Sequence, residues 1–250
     1  SGTSHDFGDG FARAFGIQYS DADNELKYVH QTSWGMSTRI IGAIIMVHGD
    51  DSGLKLPPRV APVQVMVIPI SQRKEGVMEA ASALNDRLCA AGIRSKFDGS
   101  DKSPGWKFSD QEMRGIPLRV EIGPRDIEQG QAIIVRRDTG EKIPVALEGI
   151  EEKVKELLES VQNDMYARAK DFLDSHISEA KTYDEFKEAV ETKPGFIRTM
   201  WCGDLACELK IKEDTTATSR CMPFEQEHIS DTCVCCGRPA KKLVYWGKAY

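Results

Sequence analysis

The sequence predicts an α/β protein with a mixed, helix-covered sheet at its centre. Residues 62–70 form a strongly apolar run bounded by prolines, which is typical of a buried strand. Residues 74–91 have apolar positions at helical spacing, and residues 117–122 alternate between apolar and polar side chains as a half-buried strand does. Strands that alternate with helices in this way indicate a sheet covered by helices.

The remaining elements of this central region follow in order. The predicted helix over 74–91 has one apolar face, made by Val77, Ala80, Ala81, Leu84 and Leu88, and Gly92 ends it. Beyond it the pattern predicts a strand, a short helix bracketed by helix-breaking residues, the strand at 117–122 and a hairpin. Their predicted ranges are 93–97 for the strand, 104–115 for the helix, and 131–137 with 142–145 for the hairpin.

A long helix is predicted from Glu148 onward, and a second helix over 183–191. Apolar residues of the long helix recur at steps of three and four: Val154, Leu157, Leu158, Val161, Met165, Phe172, Leu173 and Ile177. Residues 148–191 have a net charge of −7, from six Lys/Arg and thirteen Asp/Glu, which we interpret as a solvated helical face. Residues 102–137 have a net charge of +2 and are the better partner for a phosphate backbone.

Residues 31–62 join a polar turn that contains Trp34 to an apolar helix and a glycine- and proline-rich exit. The helix is predicted to bury one face, made by Ile40, Ile41, Ile44, Ile45 and Val47, with Ser37 or Thr38 as its cap. Arg39 lies in its first turn, where a guanidinium can hold phosphate oxygens or stack on a purine. Patterning alone would equally describe a core helix with an exposed arginine.

Six of the seven cysteines follow residue 200. Cys202 and Cys207 form one close pair, and Cys233 and Cys236 form a second pair with the Cys-x2-Cys spacing that suits metal chelation. The pairs predict a structural Zn²⁺ site with four thiolates and no open position for substrate. Cys235 is the alternative fourth ligand, because it makes a Cys-x-Cys pair with Cys233.

The amino-acid sequence of the N-terminal segment resembles that of the prolyl-tRNA synthetases, which are class II aminoacyl-tRNA synthetases. The segment QTSWGMSTR at residues 31–39 is similar to their motif 3, and residues 1–5, SGTSH, are similar to their TSH segment. The resemblance implies that Arg39 contacts ATP. It also implies a proline pocket, with Mg²⁺ on the phosphates of ATP. The implied pocket residues are Thr3, His5, Ser33, Trp34 and Gly35.

The resemblance has two limits in this part of the chain. Residues 7–11 read FGDGF where family members commonly read LGQNF, so no site is assigned to positions 9 and 10. The family's motifs 1 and 2, which form the dimer interface and most ATP contacts, do not occur in the sequence. We therefore expect a homodimer for the full-length enzyme and no catalysis by this chain alone, since activation needs the whole preorganised site.

The central region resembles the anticodon-binding domain of class IIa synthetases. The sequence motifs on which this resemblance rests are PGWKF at residues 104–108 and GIPLRVEIGPRD at residues 115–126. Splayed anticodon bases are read on their polar edges, and proline anticodons contain guanines, which suit carboxylate and guanidinium partners. The implied anticodon-binding residues are Lys107, Arg119, Glu121 and Arg125. A surface ion pair between Arg119 and Glu121 is the alternative interpretation.

The C-terminal part resembles the synthetases of the archaeal and eukaryotic type, which have an extra zinc-binding domain and end in tyrosine, as this chain does at Tyr250. The resemblance therefore implies three parts. They are the end of a class II catalytic domain (1–60), an anticodon-binding domain (61–150), and a linker helix with an α+β zinc-binding domain (151–250). No inserted editing domain is expected with such a tail.

The predicted function is ligation of L-proline to tRNA-Pro with ATP, Mg²⁺ and a structural Zn²⁺, in the cytoplasm. The composition, 40% hydrophobic and 29% charged with a net charge of −6, is ordinary for a globular protein and excludes a general nucleic-acid coat. No apolar run approaches the ~20 residues that span a bilayer. Two alternatives stay open, a non-charging synthetase paralogue and a zinc-stabilised tRNA- or protein-binding module.

Overall fold

A computed structural model describes residues 2–248, and Tyr250 lies outside them. The chain divides into two compact units, Ser1–Met165 and Tyr166–Tyr250. Each unit has its own main sheet and its own apolar core.

The first unit begins with a segment that buries little of its surface. Its elements are β1 (Gly2–Gly8), α1 (Gly10–Phe15), β2 (Gln18–Ser20), β3 (Leu26–Tyr28), β4 (Gln31–Met36) and α2 (Arg39–His48). β1 pairs with β4 and β2 pairs with β3, so both sheets are two-stranded. Ala12 is the one buried residue between positions 2 and 48.

The helix predicted after residue 37 is present as α2, but its predicted buried face is wrong. None of its residues is buried, and Ile41 is 58% exposed. Thr38 is its N-cap, yet the Thr38 side chain makes no capping hydrogen bond. The apolar spacing indicates that one face of α2 can be buried, but no part of the described chain covers that face.

The centre of the first unit is a five-stranded mixed sheet, as the sequence predicts. Its elements are β5 (Val65–Pro69), α3 (Val77–Ala90), β6 (Ser95–Phe97), α4 (Pro104–Met113), β7 (Leu118–Ile122), α5 (Pro124–Glu128), β8 (Gln131–Arg136) and β9 (Lys142–Ala146). The strand order is β6-β5-β7-β8-β9. β5 pairs in parallel with both β6 and β7, whereas β8 and β9 complete the sheet as an antiparallel hairpin.

The core of this unit lies on one face of the sheet. The long helix α6 (Ile150–Ser175) contributes its buried residues to a cluster that also contains Val65 and Val120. Leu84 and Leu88 of α3 join the same cluster. The chain passes from β5 through α3 to β6, and then back past β5 through α4 to β7. Because such crossovers are right-handed, α3 and α4 lie on opposite faces of the sheet.

The second unit is an α+β domain. Its elements after α6 are β10 (Ile177–Glu179), α7 (Tyr183–Thr192), β11 (Phe196–Trp201), α8 (Leu205–Thr215), β12 (Ala217–Cys221) and β13 (Lys242–Lys248). The strand order is β10-β11-β13-β12. A capping box between Thr182 and Glu185 begins α7, and Trp246 is fully buried against Phe186.

A glycine fixes the start of the β10–β11 pair. Gly195 has φ +123°, and a Cβ at this position would lie 1.9 Å from the carbonyl oxygen of His176. His176 also accepts the backbone hydrogen bond of Phe196 at 2.8 Å. The two chain segments therefore touch backbone to backbone at this point.

Among the described residues, every helix is too short or too polar to cross a membrane.

Candidate functional site

Four cysteines converge in the second unit. Cys202 follows β11, Cys207 lies in the first turn of α8, and Cys233 and Cys236 belong to the loop before β13. Their sulfur atoms all lie within 4.8 Å of one another. This cysteine cluster has the membership that the sequence predicts, with Cys236 and not Cys235 as its fourth sulfur.

The geometry of the cysteine cluster fits a tetrahedral metal. Metal–sulfur bonds of about 2.3 Å place tetrahedral sulfur atoms about 3.8 Å apart. The Cys202 and Cys207 sulfur atoms are 3.7 Å apart, and those of Cys236 and Cys202 are 3.9 Å apart. Burial raises the pKa of the Cys207 and Cys233 thiols, so both need a cation to hold them as thiolates. The four sulfur atoms could therefore hold one metal ion.

Arg238 places a positive charge beside the sulfur atoms. Its Nε donates to Cys236 Sγ at 3.3 Å, and its Nη2 lies 3.8 Å from Cys202 Sγ. Asp204, the N-cap of α8, accepts from the same Nη2 at 2.5 Å and orients the guanidinium. The hydrogen bond from Arg238 lowers the pKa of the Cys236 thiol to about 6. Sequence reasoning missed Arg238, because its position two residues after Cys236 does not reveal that its guanidinium lies against the sulfur atoms.

A second cluster lies on the sheet face that α4 covers. Arg119 of β7 is 5% exposed and donates to Glu121 Oε1 at 2.8 Å. Its Nη1 donates to Gln111 Oε1 and Glu112 Oε1, each at 3.0 Å. Its guanidinium carbon lies 4.1 Å from the centroid of the Phe108 ring. The Arg119 cluster is therefore a buried network, and not the exposed ion pair that was the alternative interpretation.

The other two predicted anticodon-binding residues have opposite environments. Lys107 of α4 is 1% exposed, and its Nζ donates to Gln72 Oε1 at 2.8 Å and to the Asp98 carbonyl at 2.9 Å. Arg125, in α5 just beyond the carboxyl end of β7, is exposed. The structure therefore presents Arg125 to solvent and gives Lys107 a position inside the protein.

A polar cavity of about 360 Å³ opens beside the Arg119 cluster. Arg119 and Glu112 line one side, and the β8–β9 turn lines the other with Arg136, Arg137 and Lys142. Five cations and three carboxylates line the cavity: Lys55, Arg119, Arg136, Arg137 and Lys142, with Asp50, Glu112 and Asp138. Sequence reasoning missed Glu112 and the residues of the turn, because neighbours across a sheet are separated along the chain.

All three arginines of the polar cavity, Arg119, Arg136 and Arg137, already have carboxylate partners. Arg137 makes two hydrogen bonds to Asp50, at 2.9 and 2.6 Å, which hold the pKa of that carboxyl well below its usual range. Arg136 binds Asp138 at 2.9 Å and Asp164 at 2.7 Å. A negatively charged ligand in this cavity would have to exchange with these carboxylates.

The N-terminal candidates meet in the β1–β4 ladder. Thr3 pairs with Gly35, and His5 pairs with Ser33. Trp34 pairs with Ser4 and is 78% exposed. Because side chains alternate along a strand, Trp34 lies on the opposite face of the ladder from Ser33.

Arg39, the candidate ATP ligand, is the first residue of α2 and is exposed. β4 ends at Met36, so Arg39 follows the ladder directly.

Two family models match parts of the chain. Residues 183–250 match "Prolyl-tRNA synthetase, C-terminal", and residues 64–157 match "Anticodon binding domain". The first match contains the cysteine cluster, and the second contains the Arg119 cluster.

Curated relatives are similar over the whole chain. Proteins named proline–tRNA ligase from Lachnospira eligens, Agathobacter rectalis and Clostridium novyi are 66%, 67% and 60% identical to it. Each alignment covers 100% of this chain and 52% of the relative, so the chain spans about half the length of these relatives. All three come from bacteria, which favours the bacterial type over the archaeal and eukaryotic type that the resemblance implied.

Proposed function

We propose that the chain is the C-terminal half of a proline–tRNA ligase, and that the longer protein activates L-proline with ATP and transfers it to tRNA-Pro. The observation that carries the proposal is the identity of 60–67% to proteins of that name along the entire chain. The two domain matches support it independently, because they occur in one chain and together cover most of it.

In this proposal the central sheet reads the anticodon. A carboxylate accepts from guanine N1–H and N2–H, and a guanidinium donates to O6 and N7. Glu121 and Arg119 supply these groups side by side, 2.8 Å apart, next to the polar cavity. An incoming guanine would replace the hydrogen bond that Arg119 now donates to Glu121.

Arg125 and Lys107 have different parts in the proposed reading of RNA. Arg125 is exposed just beyond the end of β7 and can meet a base or a phosphate directly. Lys107 is buried, so we assign it a positioning role for the loops that contain Gln72 and Asp98.

We propose that residues 1–60 supply part of the catalytic domain. Arg39 would contact ATP, with Mg²⁺ neutralising the phosphates. Thr3, His5, Ser33 and Gly35 would contribute to the proline pocket from one face of the β1–β4 ladder. Trp34, the fifth candidate, lies on the opposite face, so it would not line the same wall of that pocket. No side chain needs to act as a nucleophile, since this chemistry is carried by positioning and charge stabilisation.

We propose Zn²⁺ as the ion of the cysteine cluster. Four thiolates in a tetrahedron suit a d¹⁰ cation of that size and leave no coordination position for a substrate. When bound, zinc would stabilise residues 151–250 as the third part of the chain by linking β11, α8 and the loop before β13.

The same proposal covers location, assembly and relatives. A ligase that acts on tRNA works where translation takes place, which is the cytoplasm of a bacterium. We propose that the full-length enzyme is a homodimer. A bacterial source is favoured by the relatives, and no editing domain is assigned to this chain.

The experiment is binding of the zinc-loaded chain to tRNA-Pro at physiological salt, beside the same tRNA with its anticodon guanines replaced. We expect replacement to weaken binding at least tenfold, since a lost bidentate contact costs about 1–3 kcal/mol. Glu121→Gln is the matched variant, because it keeps the shape of the side chain and removes its charge. The variant should discriminate less between the two RNAs.

Equal binding of both RNAs by a folded, zinc-loaded chain would overturn the anticodon assignment. It would support a non-charging paralogue or an interaction module instead.

A further inference from the structure

A cavity of about 540 Å³ lies at the carboxyl end of β5, outside the Arg119 cluster. We call it the switch-point cavity, and it is lined by residues 69–74 and 101–104. The chain runs from β5 through α3 to β6 on one side of β5, and then from β6 through α4 to β7 on the other side, so the direction of the connections reverses at β5. Ligands of doubly wound sheets bind outside the carboxyl ends of the strands at such a point.

The two loops that form the walls of the switch-point cavity are connected through the buried side chain of Lys107. Lys107, 1% exposed, donates to Gln72 in one wall and to the Asp98 carbonyl just before the other. Gln72 Nε2 in turn donates to Asp101 Oδ1 at 3.4 Å, which connects the two walls directly. A buried ammonium is stable only where its hydrogen bonds are satisfied, so this lysine fixes the separation of the two loops.

Backbone strain marks the same loop. Ser71 has φ +57°, one of the few non-glycine residues of the described chain in the left-handed region. Such conformations persist where the surrounding structure holds them, and they are concentrated at ligand sites.

The chemistry of the cavity fits a nucleotide. Pro69, Ile70 and Pro104 give it an apolar floor. Arg73, Lys74 and Lys102 surround it against one carboxylate, Asp101, so its lining has a net charge of +2. Within residues 2–248 neither Arg73 nor Lys74 has an ion-pair partner, unlike Arg136 and Arg137 of the polar cavity. The first turn of α4 borders the cavity and adds the positive end of a helix.

We propose that the switch-point cavity holds one unpaired nucleotide of the bound RNA, separate from the guanines read at the Arg119 cluster. The base lies on the apolar floor, and the flanking phosphates contact Arg73 and Lys74. This inference rests on the proposed tRNA-binding function and adds a second contact point to it. The site recognises phosphate and base shape, so it contributes affinity without selecting the anticodon.

The test compares the double variant Arg73→Ala/Lys74→Ala with wild type in binding tRNA-Pro over a range of salt concentrations. Each lost phosphate contact lowers the slope of log K against log[salt] by about 0.7 for single-stranded RNA. The double variant should therefore lower the slope by about 1.4 and the affinity at physiological salt by roughly tenfold. Its preference for the natural anticodon should not change. The charge-matched control is Lys153→Ala/Lys155→Ala on the exposed face of α6, which should have a smaller effect.

Three results would distinguish a failure of the cavity site, a failure of the anticodon assignment, and binding of a free nucleotide. An unchanged slope and affinity, with wild type still preferring the natural anticodon, would overturn the cavity site and leave the proposed function standing. A loss of slope in a chain that shows no anticodon preference would support the cavity and overturn the anticodon assignment. Tight binding of guanosine monophosphate that the double variant abolishes, with no effect on RNA binding, would overturn the RNA nucleotide in favour of a free one.

Discussion

The cysteine cluster and the Arg119 cluster are assembled alike but neutralised differently. In both, residues from separate elements bring several ionisable side chains together. The cysteine cluster has one guanidinium, Arg238, for four thiols, so holding all four as thiolates would need an external cation. Arg119 has two carboxylate partners of its own, Glu112 and Glu121, and therefore needs no external ion. The proposed metal would complete the first cluster, whereas a ligand at the second would have to displace existing contacts.

The largest expected effect comes from removing one ligand of the cysteine cluster. Cys207→Ser should release the metal and unfold much of the second unit, since structural zinc contributes about 10–16 kcal/mol in small domains. Metal content and near-UV circular dichroism of the purified variant would measure both changes. Cys221→Ser and Cys235→Ser are the controls, because neither sulfur belongs to the cluster. Retention of one metal per chain by Cys207→Ser would contradict the assignment of its ligands.

Removing Arg119, the centre of the Arg119 cluster, should cost less unfolding free energy than removing a ligand of the cysteine cluster. Arg119→Met leaves Glu121, whose side chain is 12% exposed, without its charge partner. We expect about 3 kcal/mol of lost unfolding free energy, as for other broken buried ion pairs. Urea denaturation would measure it. Arg114→Met is the matched control, because Arg114 is 61% exposed and its ion pair with Asp110 should contribute less than about 1 kcal/mol. Equal losses in the two variants would mean that the Arg119 network is no better than a surface pair.

Arg238 tests whether the cysteine cluster depends on its own cation as well as on the metal. Arg238→Met should weaken zinc binding by roughly 10–100-fold, as loss of hydrogen bonds to metal ligands commonly does. Competition with a chromophoric chelator would measure the change. Lys241→Met removes the same charge from an exposed neighbour and should change zinc binding little. A similar loss in both variants would assign the effect to general charge and not to the hydrogen bonds to sulfur.

The smallest effect concerns pH and Asp50. Arg137 lowers the pKa of Asp50 in the folded chain, so the ionised carboxylate stabilises the fold above its unfolded pKa of about 3.9. That stability is lost as the pH falls toward the lower, folded pKa. Solvent screening limits it to about 1 kcal/mol, because Asp50 is partly exposed.

Asp50→Asn is the variant that measures this contribution. The difference in unfolding free energy between wild type and Asp50→Asn should be present at neutral pH and shrink near pH 3. A difference that stays constant with pH would show that the ion pair does not contribute through the charge of Asp50.

The elements of the central sheet could be predicted from the sequence because local pattern determines them. The apolar run at 62–70 became β5, and the amphipathic pattern at 74–91 became α3. Both spacing and chemistry identified the cysteine cluster, since thiols at Cys-x2-Cys spacing already lie near each other. The sulfur of Cys236, and not that of Cys235, lies with the other three sulfur atoms, and its role as the fourth metal ligand stays a prediction.

Features that depend on distant neighbours could not be predicted. Lys107 is a charged residue on a short helix, and nothing in the pattern reveals that Gln72 and Asp98 enclose its ammonium. The apolar spacing of α2 predicted burial, but the spacing does not say what would cover Ile41 or Ile45. Periodicity describes the face that a helix offers, whereas burial depends on a partner surface that the pattern does not contain.

Gly195 has a consequence for how this chain can change. With φ +123° and the carbonyl oxygen of His176 at 1.9 Å from any added Cβ, the position excludes the other nineteen amino acids both by conformation and by space. In a library with every residue at position 195, selection for a folded second unit should return glycine alone. At Gly130, whose φ is +64° and where an added Cβ meets nothing within 4 Å, the same library should also return asparagine and aspartate.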